Sequence, residues 1–203
     1  MTYDLSAVAK RLTERGFLAE AAGSPEEAKA LILQYIGGRS VGIGGSATVR
    51  ELGLYEALTE RGNEVFWHWK VEKPQVEETR IKAIGADVYL CSTNALTEDG
   101  RLVNIDGTGN RLAGMIYGPK TVILAVGRNK IVKDTDEAIA RIKRDACPGN
   151  ARRQGFQTPC ALTGECHDCR PPARMCNVTA ITEYPSRRHE AYRIILIDED
   201  LGL

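Results

Sequence analysis

The sequence predicts an α/β protein with a doubly wound, mostly parallel sheet and an irregular cysteine-rich metal lobe. Short apolar runs alternate with segments of helical periodicity, which is the rhythm of strands joined by crossover helices. The run Thr121–Val126 is mostly β-branched and almost entirely apolar, as expected of a strand buried on both faces. Strands are predicted at residues 41–43, 64–69, 86–92, 121–126 and 192–197.

Helix signals separate these strands. Ser24–Glu27 reads Ser-Pro-Glu-Glu, a capping box with proline at the first helical position, so a helix begins there. Asp134 and Glu137 cap a later helix, which Pro148 should stop. Helices are predicted at residues 5–16, 25–36, 46–52 with a further segment to 61, 74–84, 106–117 and 134–146.

The character of the chain changes after Pro148. Residues 149–190 are rich in Arg, Pro, Gly and Cys and show little periodicity. We therefore predict an α/β core formed by residues 1–148 and 191–203, with residues 149–190 forming a cysteine-rich metal-binding lobe.

Composition excludes several classes of function. With 27 basic and 27 acidic residues the net charge is zero, which argues against nucleic acid or an anionic membrane surface as a partner. The amino-terminal residues lack a signal-peptide layout, and no apolar run reaches the ~18 residues of a membrane span. The expected location is the cytoplasm, and the composition is compatible with a homo-oligomer.

The turn after the first predicted strand resembles an anion site. Glycines and hydroxyls meet a helix amino terminus there, where backbone donors and the helix dipole favour a phosphate or carboxylate. An ordinary turn capped by Ser46 is the alternative. The candidate ligand-binding residues are Gly44, Gly45, Ser46 and Thr48.

A second candidate site is the glycine-rich polar loop at residues 94–111. It leaves a strand at the carboxyl edge of the predicted sheet, where ligands bind in α/β folds. Asp99 and Asp106 are candidate general acids or bases, although Asp99 also suits a tight Asp-Gly turn and Asp106 a helix cap. The other candidates are ligand-binding residues: Asn94, Asn104, Gly107, Thr108, Asn110 and Arg111.

Two further segments lie near predicted strand ends. Arg128 and Lys130 follow the buried strand and suit a carboxylate or phosphate, unless they are ordinary exposed cations. Phe66–Trp69 is an aromatic run that favours core or interface packing, with stacking on a cofactor ring as the alternative.

Four thiols within seventeen residues, in an irregular segment and a reducing compartment, indicate a metal. Zinc and a [4Fe–4S] cluster both fit the spacing. Cys91 suits a buried bystander better than a nucleophile, and Cys147 is a spare or extra ligand. The predicted metal ligands are Cys160, Cys166, Cys169 and Cys176.

Several motifs together resemble the LUD-domain family, the proteins of lactate utilisation. They are VGIGGSATVRELGL, STNALTEDGRLVNIDGTGNR, GPKTVILAVGRNK and the ending DEDLGL. The resemblance implies the fold shared by sugar-phosphate isomerases and coenzyme-A transferases. It also places Asn94 where isomerase relatives have a catalytic aspartate. Because an amide cannot shuttle a proton as a carboxylate does, isomerase chemistry is not expected.

The resemblance implies a setting of lactate oxidation by iron–sulfur proteins, which favours a [4Fe–4S] cluster over zinc. We therefore expect a protein that binds a small anionic metabolite and takes part in oxidation of lactate or a related hydroxy acid with iron–sulfur partner subunits. One alternative is a sugar-phosphate isomerase or CoA/acyl transferase with structural zinc. The other is a non-catalytic metabolite-binding scaffold or sensor.

Overall fold

A computed structural model describes residues 3–203 and arranges ten strands in two sheets. The larger sheet has the strand order β1-β10-β7-β4-β2-β3 and is parallel throughout. This confirms the α/β fold with a mostly parallel sheet. The strands are β1 Leu18–Ala22, β2 Val41–Ile43, β3 Val65–Trp67, β4 Val88–Cys91, β5 Ala95–Thr97, β6 Leu102–Asp106, β7 Thr121–Gly127, β8 Ile131–Val132, β9 Val178–Thr182 and β10 Ala191–Ile197.

Two helices begin at their predicted caps, Ser24 and Asp134, whereas the helix predicted from Asp106 begins at Asn110, because Asp106 is the last residue of β6. Ser24 Oγ accepts a hydrogen bond from the Glu27 amide at 3.1 Å, and Asp134 Oδ1 accepts one from the Glu137 amide at 2.9 Å. No helix within residues 3–203 has both the length and the apolar character needed to cross a membrane. The helices are α1 Leu5–Glu14, α2 Pro25–Ile36, α3 Ala47–Glu51, α4 Leu54–Glu60, α5 Val76–Gly85, α6 Asn110–Ile116, α7 Thr135–Arg141, α8 Cys147–Arg153 and α9 Pro159–Thr163.

Alternating residues of the larger sheet build an apolar layer on each face. In β7, Ile123 and Ala125 face one layer while Val122 and Leu124 face the other, and all four side chains are fully buried. Residues from α2, α3 and α4 complete the first layer, and residues from α1, α5 and α6 complete the second. Helices thus cover both faces of the sheet.

The smaller sheet has the order β8-β5-β6-β9. Strands β5 and β6 form the predicted hairpin, whose turn contains Gly100 at φ +90°. Strand β9 pairs antiparallel with β6, and Asn104 lies opposite Ala180. This sheet therefore connects the glycine-rich loop to the segment that follows residue 149.

Three other predictions about the elements were wrong. No strand was expected before residue 41, yet β1 pairs in parallel with β10 at the sheet edge. Pro148 does not end the helical region, because a π-helical turn at Ile142–Ala146 leads into α8 and places Pro148 in its first turn, where a missing N–H is tolerated. Residues 149–190 are not irregular throughout, since they include most of α8 together with α9 and β9.

The neighbouring strands β2 and β4 define the place where a ligand can enter. The chain leaves β2 for α3, which packs on one face of the sheet, and leaves β4 towards α6, which packs on the opposite face. Because the two segments diverge, a crevice opens beyond the carboxyl ends of these strands.

Candidate functional site

A cavity of about 160 Å³ lies at this crevice. Segments that follow β2, β4 and β7 meet there, although they are distant along the chain. The predicted residues that line the cavity are Gly45, Ser46, Asn94, Asp106, Gly107, Thr108, Asn110, Arg111 and Lys130.

The wall of this cavity is strongly basic. Its basic side chains are the three guanidinium groups of Arg80, Arg111 and Arg153 and the amine of Lys130. Among the residues that the structure describes, Asp106 is the single acidic side chain on the wall. Burial lowers the pKa of His68, which also lines the cavity, to about 4, so its imidazole is neutral near pH 7. The excess of positive charge favours an anionic ligand.

Arg111 organises the glycine-rich loop from inside. Its Nη1 donates to the Asn104 side-chain oxygen at 2.9 Å, and its Nη2 donates to the Asn94 side-chain oxygen at 2.7 Å and to the Ile105 carbonyl at 3.1 Å. The Asn94 oxygen also accepts the Ile105 amide at 3.0 Å. These contacts mean that Asn94 and Arg111 shape the cavity wall, and that most of their hydrogen-bonding capacity is used within the protein.

Lys130 is a buried amine with hydroxyl partners. The side chain is 3% exposed, and Nζ donates to Thr48 Oγ1 at 2.7 Å and to Ser92 Oγ at 3.0 Å. Burial, reinforced by the positive charges of Arg141 and Arg111, lowers the pKa of Lys130 from 10.5 to about 7. A substantial share of Lys130 is therefore uncharged near neutral pH.

The turn after β2 combines the two roles predicted for it. Ser46 Oγ accepts a hydrogen bond from the Val49 amide at 3.2 Å and so caps α3, while Gly45 and Ser46 also line the cavity. Asp106 likewise lines the cavity, and its carboxylate accepts the Leu112 amide at 3.4 Å near the start of α6.

Two charged candidates lie away from the cavity. Asp99 is in the β5–β6 turn, where its carboxylate pairs with Arg15 at 2.9 Å and with Arg101 at 3.2 Å. Arg128 is at the surface and pairs with Asp198 at 3.0 Å and with Asp200 at 3.1 Å. The structure thus does not bring the predicted acid Asp99 or the predicted anion contact Arg128 to the site.

Three other candidates support the cavity without lining it. Thr48 holds the Lys130 amine. Asn104 is fully buried and accepts the Asn94 amide at 3.0 Å. At Gly44, a Cβ atom would stand 2.9 Å from the Tyr89 hydroxyl, so the absence of a side chain allows close packing beneath the turn.

The sequence analysis missed two cations of the wall. Arg80 comes from α5 and Arg153 from α8, and neither follows a strand. The Arg153 guanidinium lies 4.0 Å from the ring centre of Trp69, which itself lines the cavity and stacks on Trp67. Trp69 therefore connects the predicted aromatic packing to the site.

A second, smaller cavity of about 20 Å³ lies beside the first. Cys176 Sγ stands 3.2 Å from Cys147 Sγ, and Cys147, Met175 and Cys176 line both cavities. Within residues 3–203, no three His, Cys, Asp or Glu side chains are arranged as a group that could hold a metal ion. The thiols on the wall of the small cavity belong to Cys147, Cys160, Cys166, Cys169 and Cys176.

Cys91 lies outside both cavities. It is fully buried in β4, and burial raises the pKa of its thiol to about 12. A neutral, inaccessible thiol is a poor nucleophile, which favours the bystander interpretation.

Fold and site together define an α/β protein with a basic cavity at the switch point of a parallel sheet. The family model of the LUD domain matches residues 5–197. The chain therefore belongs to the LUD domain family, which is related to lactate utilisation.

One solved structure supports the fold. The crystal structure of a DUF162 family protein from Deinococcus radiodurans superposes with a TM-score of 0.56, covering 97% of this chain and 96% of that chain at 14% sequence identity. At this identity the likeness concerns the fold alone. No curated protein matches the chain.

Proposed function

We propose that this LUD protein binds a small anionic metabolite in the basic cavity and takes part in iron–sulfur-dependent oxidation of lactate or a related hydroxy acid. The observation that carries the proposal is a basic cavity that shares a wall with a cysteine-lined cavity. The proposed setting is the cytoplasm, with iron–sulfur partner subunits as electron acceptors. The isomerase/CoA transferase superfamily is the proposed origin of the fold.

The size and charge of the larger cavity support a small carboxylate. Its volume of about 160 Å³ is close to the roughly 150 Å³ of cavities that hold a benzene-sized molecule, which suits a ligand of a few heavy atoms. Arg80 and Arg153 come from helices α5 and α8, and the Arg80 guanidinium also pairs with Glu77 at 3.3 Å. Guanidinium groups on the wall suit a carboxylate, which can accept two parallel hydrogen bonds from one arginine. Asp106 is then the carboxylate placed to accept a proton from the ligand.

The chemistry of the smaller cavity fits a thiolate-ligated metal centre. Cys160, Cys166, Cys169 and Cys176 all line it, and Cys147 adds a fifth thiol. Lys143 and Arg174 also line it and would offset the negative charge of thiolates. The side chains are not gathered at ligand positions, so the metal itself would have to draw them together, as in other small metal-organised segments. A bound iron–sulfur cluster would supply one-electron transfer.

Anion binding is tested by replacing a cation of the wall. Arg153→Met removes one charge-assisted contact, so we expect affinity for L-lactate or pyruvate to fall about tenfold, corresponding to roughly 1.4 kcal/mol. Isothermal calorimetry measures the change. Arg61→Met is the control, because Arg61 is exposed and does not line the cavity. Equal affinities in the two variants would contradict the proposed cavity.

The metal centre is tested on protein purified without oxygen. We expect iron and acid-labile sulfide in equal amounts, and an EPR signal after reduction. Cys169→Ala should lose the metal, whereas the matched variant Cys91→Ala should keep it, since Cys91 lies outside the small cavity. Colourless protein with one zinc per chain would favour the structural-zinc alternative, and retention of iron by Cys169→Ala would exclude Cys169 from the ligand set.

A further inference from the structure

We propose that Lys130 forms an imine with the C2 carbonyl of a 2-oxo carboxylic acid bound in the basic cavity. The inference rests on the proposed function of that cavity and names one class of its ligands. It also gives Lys130 a covalent role in place of the simple cationic contact expected from the sequence.

The hydrogen bonds around Lys130 fit a neutral amine. Thr48 Oγ1 donates its own proton to the Leu201 carbonyl at 3.2 Å, and Ser92 Oγ donates to the Thr93 carbonyl at 3.3 Å. Both hydroxyls therefore accept from Nζ, at 2.7 Å and 3.0 Å respectively. A neutral amine has two N–H bonds to donate and keeps one lone pair, which is the electron pair a nucleophile needs.

The charged groups around Lys130 do not stabilise its ammonium form. Within residues 3–203 Nζ forms no ion pair with a carboxylate; Arg141 and Arg111 lower its pKa, and Glu51 and Cys91 oppose them with smaller effects. The two arginines disfavour the ammonium form. Lysines activated by burial beside other cations are the usual nucleophiles towards carbonyl substrates.

The covalent step is balanced by the loss of one water molecule. The Nζ lone pair attacks C2, one of the two amine protons passes to the former carbonyl oxygen, and the resulting carbinolamine loses that hydroxyl together with the second amine proton as water to give the imine. The carboxylate of the ligand would meet the cations of the wall, including Arg80 and Arg153. A 2-hydroxy acid has an alcohol at C2 in place of the ketone and forms no imine, so the covalent bond would retain the oxidised acid and leave its hydroxy counterpart free to dissociate.

Reductive trapping tests this inference. Protein is incubated with pyruvate and cyanoborohydride, and intact-mass spectrometry should find one adduct per chain, which peptide mapping should place on Lys130. Lys130→Met should form no such adduct, whereas Lys133→Met, a change at an exposed lysine three residues away, should form it fully. Mapping of the wild-type adduct decides the question if Lys130→Met does not fold.

The pH profile adds a second readout. Because the folded-state pKa of Lys130 is about 7, the neutral fraction and the trapping yield should rise between about pH 5.5 and about pH 8. An ordinary surface lysine would remain almost fully protonated over that range.

Calorimetry with L-lactate and pyruvate separates the two proposals. Binding of pyruvate without an adduct, or adducts spread over surface lysines, would overturn the imine and leave the proposed cavity intact. Absence of binding by either acid, together with no adduct, would overturn both.

Discussion

Arg111→Met should lower the free energy of unfolding by about 3 kcal/mol. Arg111 is 7% exposed and donates to the Asn94 and Asn104 side-chain oxygens and to the Ile105 carbonyl, so methionine would leave these buried acceptors short of donors. Losing the donor to a buried polar group typically costs about 1–3 kcal/mol, and more when the donor is charged. Urea denaturation followed by circular dichroism measures the change.

Arg128→Met provides the matched control for this substitution. Arg128 is a surface arginine whose ion pairs with Asp198 and Asp200 are solvated, and such pairs contribute about 0–1 kcal/mol. Arg111→Met should also increase hydrogen exchange in residues 94–106, because the loop loses its central donor. If the two variants unfold at the same urea concentration, Arg111 does not hold the loop.

The elements predicted correctly are those with strong local signals. The side chains of Ser24 and Asp134 cap the helices that they precede, so each helix start is predicted by a single residue. The continuous apolar run of β7 predicts a strand buried on both faces. Strand β1 gives no such signal, because its sequence LAEAA has little β propensity and is partly exposed. Its pairing with β10 is a tertiary effect that overrides local preference.

The sequence analysis named the cavity residues that follow strands and missed those that lie on helices. Ser46 and Asn94 follow β2 and β4, so the rule for parallel sheets places them together. Arg80 and Arg153 reach the cavity from α5 and α8, whose positions depend on packing that no local pattern records. Arg128 was misplaced because residues 128–130 form a 3₁₀ turn, which directs Arg128 to the surface and Lys130 inward.

The approach of α5 to β2 depends on Gly42. A Cβ atom at this position would lie 1.9 Å from the Ala83 carbonyl oxygen and 2.5 Å from the Ala83 carbonyl carbon. These are backbone atoms, so no side-chain rotation can relieve the overlap. The helix or the strand must move; α5 belongs to the layer that contains Tyr89 and Met115, whereas Val41 and Ile43 of β2 belong to the opposite layer.

We therefore expect Gly42→Ala to lower the free energy of unfolding by about 3 kcal/mol or more, at the upper end of overpacking effects in cores. Gly38→Ala is the control: nothing lies within 4 Å of a Cβ there, and its change should stay within about 0.5 kcal/mol. Because α5 also supplies Arg80, any Gly42→Ala protein that folds should bind anions more weakly than Gly38→Ala. Equal urea midpoints and equal affinities in the two variants would mean that the space between α5 and β2 accommodates a Cβ atom at residue 42, contrary to the overlap with Ala83.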